Sequence, residues 1–126
     1  MKILLTGGAG YIGSHTAIEL IERGYEAVIA DNLVNSSVKV LDRIEKICGK
    51  KPVFYQIDCC DKKALDQLFC ENKPDAVIHF AGLKAVGESC AKPIEYYQNN
   101  LDSTLVLLDV MRKHGVKNII FSSSAT

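Results

Sequence analysis

Four glycines lie within seven residues near the start of the chain, Gly7, Gly8, Gly10 and Gly13. They separate a short apolar run, Lys2-Ile-Leu-Leu-Thr6, from a stretch with helical apolar spacing at Ile12, Thr16, Ala17, Leu20 and Ile21. Glycine suits a backbone that must turn sharply or come close to a ligand with no Cβ in the way. The free N–H groups and dipole at the start of the following helix favour an anion such as a pyrophosphate. Gly13, one turn into that helix, lets helix and strand pack closely. A second apolar run, Glu26-Ala-Val-Ile-Ala30, ends in Asp31, eighteen positions after Gly13. A carboxylate there is placed to accept hydrogen bonds from ribose hydroxyls and to repel a 2′-phosphate. The chemistry this spacing predicts is dinucleotide binding, with NAD preferred over NADP.

Five strand patterns alternating with helical ones must position these groups. After the polar loop Asp31–Ser37, where Asn35 or Ser36 is placed to cap a helix, apolar positions recur at Val40, Leu41, Ile44, Ile47 and Cys48 up to Gly49. Val53–Ile57 reads as a third strand with Asp58 at its end, and a helix is expected over about Lys62 to Glu71. Asp75–Phe80 reads as a fourth strand running into a loop, Ala81 to Ser89. A long helix from about Ile94 to His114 stops at Gly115, and Lys117–Phe121 is the fifth strand. This alternation predicts an α/β fold, a doubly wound parallel sheet in the order 3-2-1-4-5, forming one Rossmann domain over residues 1–126. Ligands in such sheets bind beyond the carboxyl ends of the strands, where Gly7–Gly13, Asp31, Asp58, Ala81–Lys84 and Ser122–Ser124 collect.

The long helix carries two apolar stripes. Ile94, Tyr97, Leu101, Leu105, Leu108 and Met111 form one, and Tyr96, Leu107 and Val110 form another. A helix lying on a sheet needs only one buried face, so the second stripe, Val110 included, is expected to bury against something other than the sheet.

Composition narrows the function classes. Fifteen Lys and Arg balance fifteen Asp and Glu, so no global field draws the chain to nucleic acid or anionic lipid. No apolar run approaches the about 18 residues of a membrane span. Gly7 and Gly8 interrupt the apolar start too early for a signal peptide. Cys48, Cys59, Cys60, Cys70 and Cys90 are odd in number and lack a C-x-x-C pair, which argues for a cytoplasmic protein with no disulfide framework and no zinc site. His79 ends a strand and reads as a hydrogen-bonded core residue, whereas His15 and His114 read as surface or helix-end residues.

With these residues in hand, the chain resembles the extended short-chain dehydrogenase/reductases, and within them the UDP-hexose 4-epimerases. Thr6-Gly7-x-x-Gly10-x-x-Gly13 is shared by many extended members. His79-Phe-Ala-Gly-Leu-Lys-Ala-Val-Gly-Glu-Ser89 and Pro93-x-x-Tyr-Tyr-x-Asn-Asn100 are more specific, and Lys84 stands where related sugar-nucleotide dehydratases carry an acidic residue. The resemblance implies NAD as cofactor, UDP-glucose and UDP-galactose as substrates, a role in galactose metabolism, and a homodimer formed through the 94–114 helix. It implies that the backbone of Tyr11 and Ile12 covers the pyrophosphate. Asp31, Asn32, Asn35 and Ser36 would surround the adenosine ribose, and Asp58 and Cys59 would touch the adenine. Phe80, Ala81, Gly82 and Lys84 would line the pyrophosphate and nicotinamide side, with Asn99 nearby. Ser124 would hydrogen-bond the sugar 4-hydroxyl as a catalytic residue.

In that family hydride leaves C4 of the hexose and returns to its opposite face, while a tyrosine in Tyr-x-x-x-Lys handles the hydroxyl proton. None of Tyr11, Tyr25, Tyr55, Tyr96 and Tyr97 has a lysine four positions on. The expectation is that these 126 residues bind NAD, lack the sixth strand and substrate domain of the family, and do not turn over by themselves. A sugar-nucleotide dehydratase and a non-catalytic NAD-binding module are the alternatives.

Overall fold

Consecutive leucines in the first strand face opposite sides of the sheet, because side chains alternate along a pleat. Leu4 packs with Leu65, Leu68, Phe69, Val77, Leu107 and Val110 on one face. Leu5 packs with Ala17, Ile29, Leu41 and Ile44 on the other. Both leucines are fully buried, which is why this strand reads as an unbroken apolar run. Each such side chain contributes about 1.5–3 kcal/mol of transfer free energy.

The computed structural model describes residues 1–34, 36–82 and 86–123. Its elements are β1 (Lys2–Thr6), α1 (Tyr11–Glu22), β2 (Glu26–Asp31), α2 (Lys39–Cys48), β3 (Val53–Gln56), α3 (Lys62–Asn72), β4 (Ala76–His79), α4 (Val86–Ala91), α5 (Pro93–His114) and β5 (Asn118–Phe121). All neighbouring strands are parallel, in the order β3-β2-β1-β4-β5. The direction in which successive strands are added therefore reverses between β1 and β4, as expected. Helices α1 and α2 supply one core, and α3 and α5 the other. The two helices of the second pair are also tied at their surfaces, through Lys62 with Asp109 and Lys113 with Asp66.

Several local expectations need correction. Helix α2 starts after Val38 without a side-chain cap; the Ser36 hydroxyl donates instead to Asp31, and Asn35 lies outside the described residues. Helix α3 is capped by Asp61, which accepts from the Ala64 N–H, and Asp58 just past the end of the third strand accepts from the Cys60 N–H. The span read as a loop from Ala81 to Ser89 contains the start of α4, a helix too short to show an apolar period. In α1 the buried face runs through Gly13 and Ala17, and Ile12 points outward.

The two stripes of α5 exchange roles. Leu107 and Val110 are fully buried against the sheet with Tyr96, Ser103 and Met111. Ile94, Tyr97, Leu101, Leu105 and Leu108 face out, 43–69% exposed. Ser103 explains the misreading: a small polar residue in the middle of the buried face lets the helix approach closely, yet weakens its apolar signature.

Candidate functional site

The glycine loop is built to hold backbone close to backbone. Gly7 has φ +68°, and a Cβ added to it would lie 2.8 Å from the Ala81 nitrogen on the loop after β4. A Cβ on Gly13 would lie 2.7 Å from both the Gly7 carbonyl oxygen and the Gly8 Cα. Gly13 thus packs α1 against the loop that follows β1, more than against the strand itself. The start of α1 has Gly10 as its cap residue, no side-chain hydrogen bond and no acidic residue in its first turn. Helix geometry leaves the N–H groups of Tyr11 and Ile12 without partners inside the helix, so this end is open to an anion.

Asp31 closes the loop from the other side. Its carboxylate is buried and accepts from the Ala9 N–H at 3.0 Å, the Leu33 N–H at 2.8 Å and the Ser36 hydroxyl at 3.2 Å. The side chain at the end of β2 therefore fixes the glycine loop as well as facing the crevice.

Beneath the crevice a polar chain joins three elements. Thr104 donates its hydroxyl proton to the Asn100 carbonyl at 3.0 Å, so it accepts from Nε2–H of His79 at 3.1 Å. His79 Nδ1 is then an acceptor for the Thr6 hydroxyl at 2.6 Å. The oxygen of Thr6 accepts in turn from the Ala81 N–H at 3.4 Å. His79 is buried, as expected of a core histidine, and it locks β1, β4 and α5 together at the switch point.

One crevice collects most of the residues singled out from the sequence. Gly7, Gly10, Asp31, Asn32 and Ser36 line it on the side of β1 and β2; Asp58, Cys59, Phe80, Ala81, Gly82 and Asn99 line the rest. Val34, Ile57 and Ser103 also line it and escaped the sequence reading. Ile57 directly precedes Asp58, and Ser103 lies one helical turn beyond Asn99; both positions were signals that an apolar pattern conceals. Tyr11 and Ile12 direct their side chains to a separate outer cleft shared with His15, Thr16 and Glu19, leaving only their backbone near the glycine loop. Gly13 is buried beneath the loop. Lys84 and Ser124 lie outside the described residues.

The adjacent cysteines have no thiolate character. Burial, reinforced by the charges of Asp58 and Asp31, pushes the Cys59 thiol up to about 12. Burial and Asp58 raise Cys60 to about 11. Both are neutral thiols near pH 7, and Cys59 acts as a small apolar wall of the crevice.

A glycine loop closed by a carboxylate, at the switch point of a doubly wound parallel sheet, defines the Rossmann class of dinucleotide-binding domains. The residues fit such a ligand, with a cradle that a Cβ would fill and an uncapped helix start. The chain belongs to the NAD dependent epimerase/dehydratase family, whose sequence profile matches residues 3–126. It is 60% identical over 126 residues to a UDP-glucose 4-epimerase of Bacillus subtilis (strain 168), covering 100% of this chain and 37% of that protein. A UDP-glucose 4-epimerase of Schizosaccharomyces pombe is 56% identical over 98% of this chain and 35% of its own length. The UDP-glucose 4-epimerase from Bifidobacterium longum, solved in complex with NAD⁺ and UDP, superposes with a TM-score of 0.97 at 59% identity, covering 99% of this chain and 37% of that one. The chain thus spans little more than a third of the length of these relatives.

Proposed function

We propose that this chain is the NAD-holding part of a UDP-hexose 4-epimerase that interconverts UDP-glucose and UDP-galactose in the cytoplasm. The observation that carries this reading is the convergence of the uncapped α1 start and the Asp31 carboxylate on one crevice. In this reading the Tyr11 and Ile12 N–H groups hold the pyrophosphate, and Asp31 with Asn32 and Ser36 orients the adenosine ribose. Asp58 and Cys59 flank the adenine, while Phe80, Ala81, Gly82 and Asn99 line the route to the nicotinamide. NAD, when bound, supplies a reversible acceptor for the hydride at C4 of the sugar.

The test pairs two measurements. Purified protein is titrated with NAD and NADP by calorimetry, and a coupled assay follows UDP-glucose formation from UDP-galactose. The whole protein is expected to bind NAD in preference and to turn over. Residues 1–126 expressed by themselves are expected to show no turnover, because they contain no Tyr-x-x-x-Lys base. Loss of that base forfeits about 10²–10⁴-fold from acid–base catalysis alone. Turnover by residues 1–126 above a Ser124→Ala control sinks the reading, as does equal affinity for the two cofactors.

The outward stripe of α5 supports a homodimer in which the same helix of a second copy covers it. Ile94, Tyr97, Leu101, Leu105 and Leu108 recur every three or four residues, the spacing of a helix-to-helix seam, and an exposed stripe of this kind marks an association surface. Leu105→Asp is expected to raise the monomer fraction in analytical ultracentrifugation, with Leu101→Asp acting in the same direction. Val110→Asp should instead unfold the chain, since Val110 lies in the core. Unchanged sedimentation of Leu105→Asp argues against this interface.

A further inference from the structure

At the end of the sheet opposite the glycine loop, α3 and α5 finish side by side and bring together three different metal-ligand types. Asp66 and Cys70 are one turn apart on α3, and His114 is the last residue of α5. One ligand atom from each, a carboxylate oxygen, a thiol sulfur and an imidazole nitrogen, lies within 4.8 Å of the other two. Among the described residues this is the one such group of three. Sequence spacing hides it, because His114 is over forty positions from its neighbours and reaches them only through packing of the two helices.

We propose that Asp66, Cys70 and His114 form a binding site for a thiophilic divalent cation of the zinc type. A tetrahedral zinc site with one sulfur, one nitrogen and one oxygen ligand needs donor atoms about 3.3–3.7 Å apart. The present separations, from 2.6 Å between His114 Nε2 and Asp66 Oδ1 up to the 4.8 Å limit, bracket that range. The ion would take the place of the proton shared by His114 and Asp66.

Three features prepare the site. Phe69 packs on the His114 ring with centroids 5.6 Å apart, which restrains the orientation of the imidazole. Lys113 bonds the second carboxylate oxygen at 3.0 Å, leaving Oδ1 to face His114. An open cleft lined by Phe69, Lys73, Pro74 and Val116 leaves one side of His114 accessible from solvent. Thiolate with imidazole selects zinc, cobalt or cadmium over magnesium or calcium. Bound there, the cation clamps the ends of α3 and α5, far from the crevice.

The probe is Co²⁺ titrated into reduced, metal-free protein, followed by displacement with Zn²⁺. A thiolate-to-cobalt charge-transfer band is expected in the near ultraviolet, and Zn²⁺ should remove it. Cys70→Ser should abolish the band, and His114→Gln should weaken binding at least tenfold. Cys90→Ser, at another exposed cysteine, should leave the band unchanged. Because Cys70 is exposed, its substitution leaves the fold intact, and a rise in Tm with Zn²⁺ should be seen in the unsubstituted protein but not in Cys70→Ser. A band that survives Cys70→Ser, that His114→Gln leaves unweakened, or that never forms overturns the proposal.

Discussion

Gly13→Ala is expected to lower stability by about 1–3 kcal/mol and to weaken NAD binding on the order of a hundredfold. The added methyl would meet the Gly7 carbonyl oxygen and the Gly8 Cα at 2.7 Å, below any normal carbon contact, and both are backbone atoms that cannot rotate away. Either α1 or the loop must retreat. Retreat of α1 withdraws the N–H groups of Tyr11 and Ile12 from the anion site; retreat of the loop disturbs the Ala9 hydrogen bond to Asp31. Gly87→Ala is the control, since a Cβ there meets nothing within 4 Å and the residue lies in a helix. It should be neutral or stabilising, by up to about 1 kcal/mol. Denaturant unfolding and cofactor titration of the two variants give the comparison. Equal effects at both positions would refute the packing argument.

Asp31→Ser is expected to reduce NAD affinity about 10–100-fold, because hydrogen bonds to a charged acceptor are worth about 1.5–3 kcal/mol. The same change should narrow or invert the preference over NADP, since the carboxylate that repels a 2′-phosphate is gone. The structure adds a second consequence. The Ala9 and Leu33 N–H groups lose their acceptor, so part of the loss comes from a loosened glycine loop. Asp31→Asn separates the two effects, because its amide oxygen can still accept from one backbone N–H while carrying no charge. It should retain more stability than Asp31→Ser and still narrow the cofactor preference. Calorimetric titration of NAD and NADP against all three proteins reads both quantities. A ratio of affinities that stays at the starting value would dismiss Asp31 as the selectivity residue.

Some surfaces acquire meaning only with more protein around them. Ile119, Ile120 and Phe121 on the edge strand β5 are exposed, as are the side chains of Tyr11 and Ile12. Apolar groups gathered at an edge and at the mouth of a site are the places where further chain or a partner packs.

Local features were legible without coordinates wherever the physical cause is itself local. The glycine spacing, the run lengths of β1 and β2, the stops at Gly49 and Gly115 and the carboxylate at Asp31 each reflect backbone demands set by near neighbours in the chain. From their alternation the strand order followed, because parallel strands need right-handed crossovers and few topologies remain. What packing decides was not legible. The two stripes of α5 have similar composition, and only the sheet, by accepting the face with Ser103, determined that Val110 is core and Leu105 is surface. The same holds for Asp66, Cys70 and His114, which no spacing rule connects. Their proximity arises because α3 and α5 lie parallel on one face of the sheet and finish at the same end of the strands, and that is a property of the packed layers rather than of any segment.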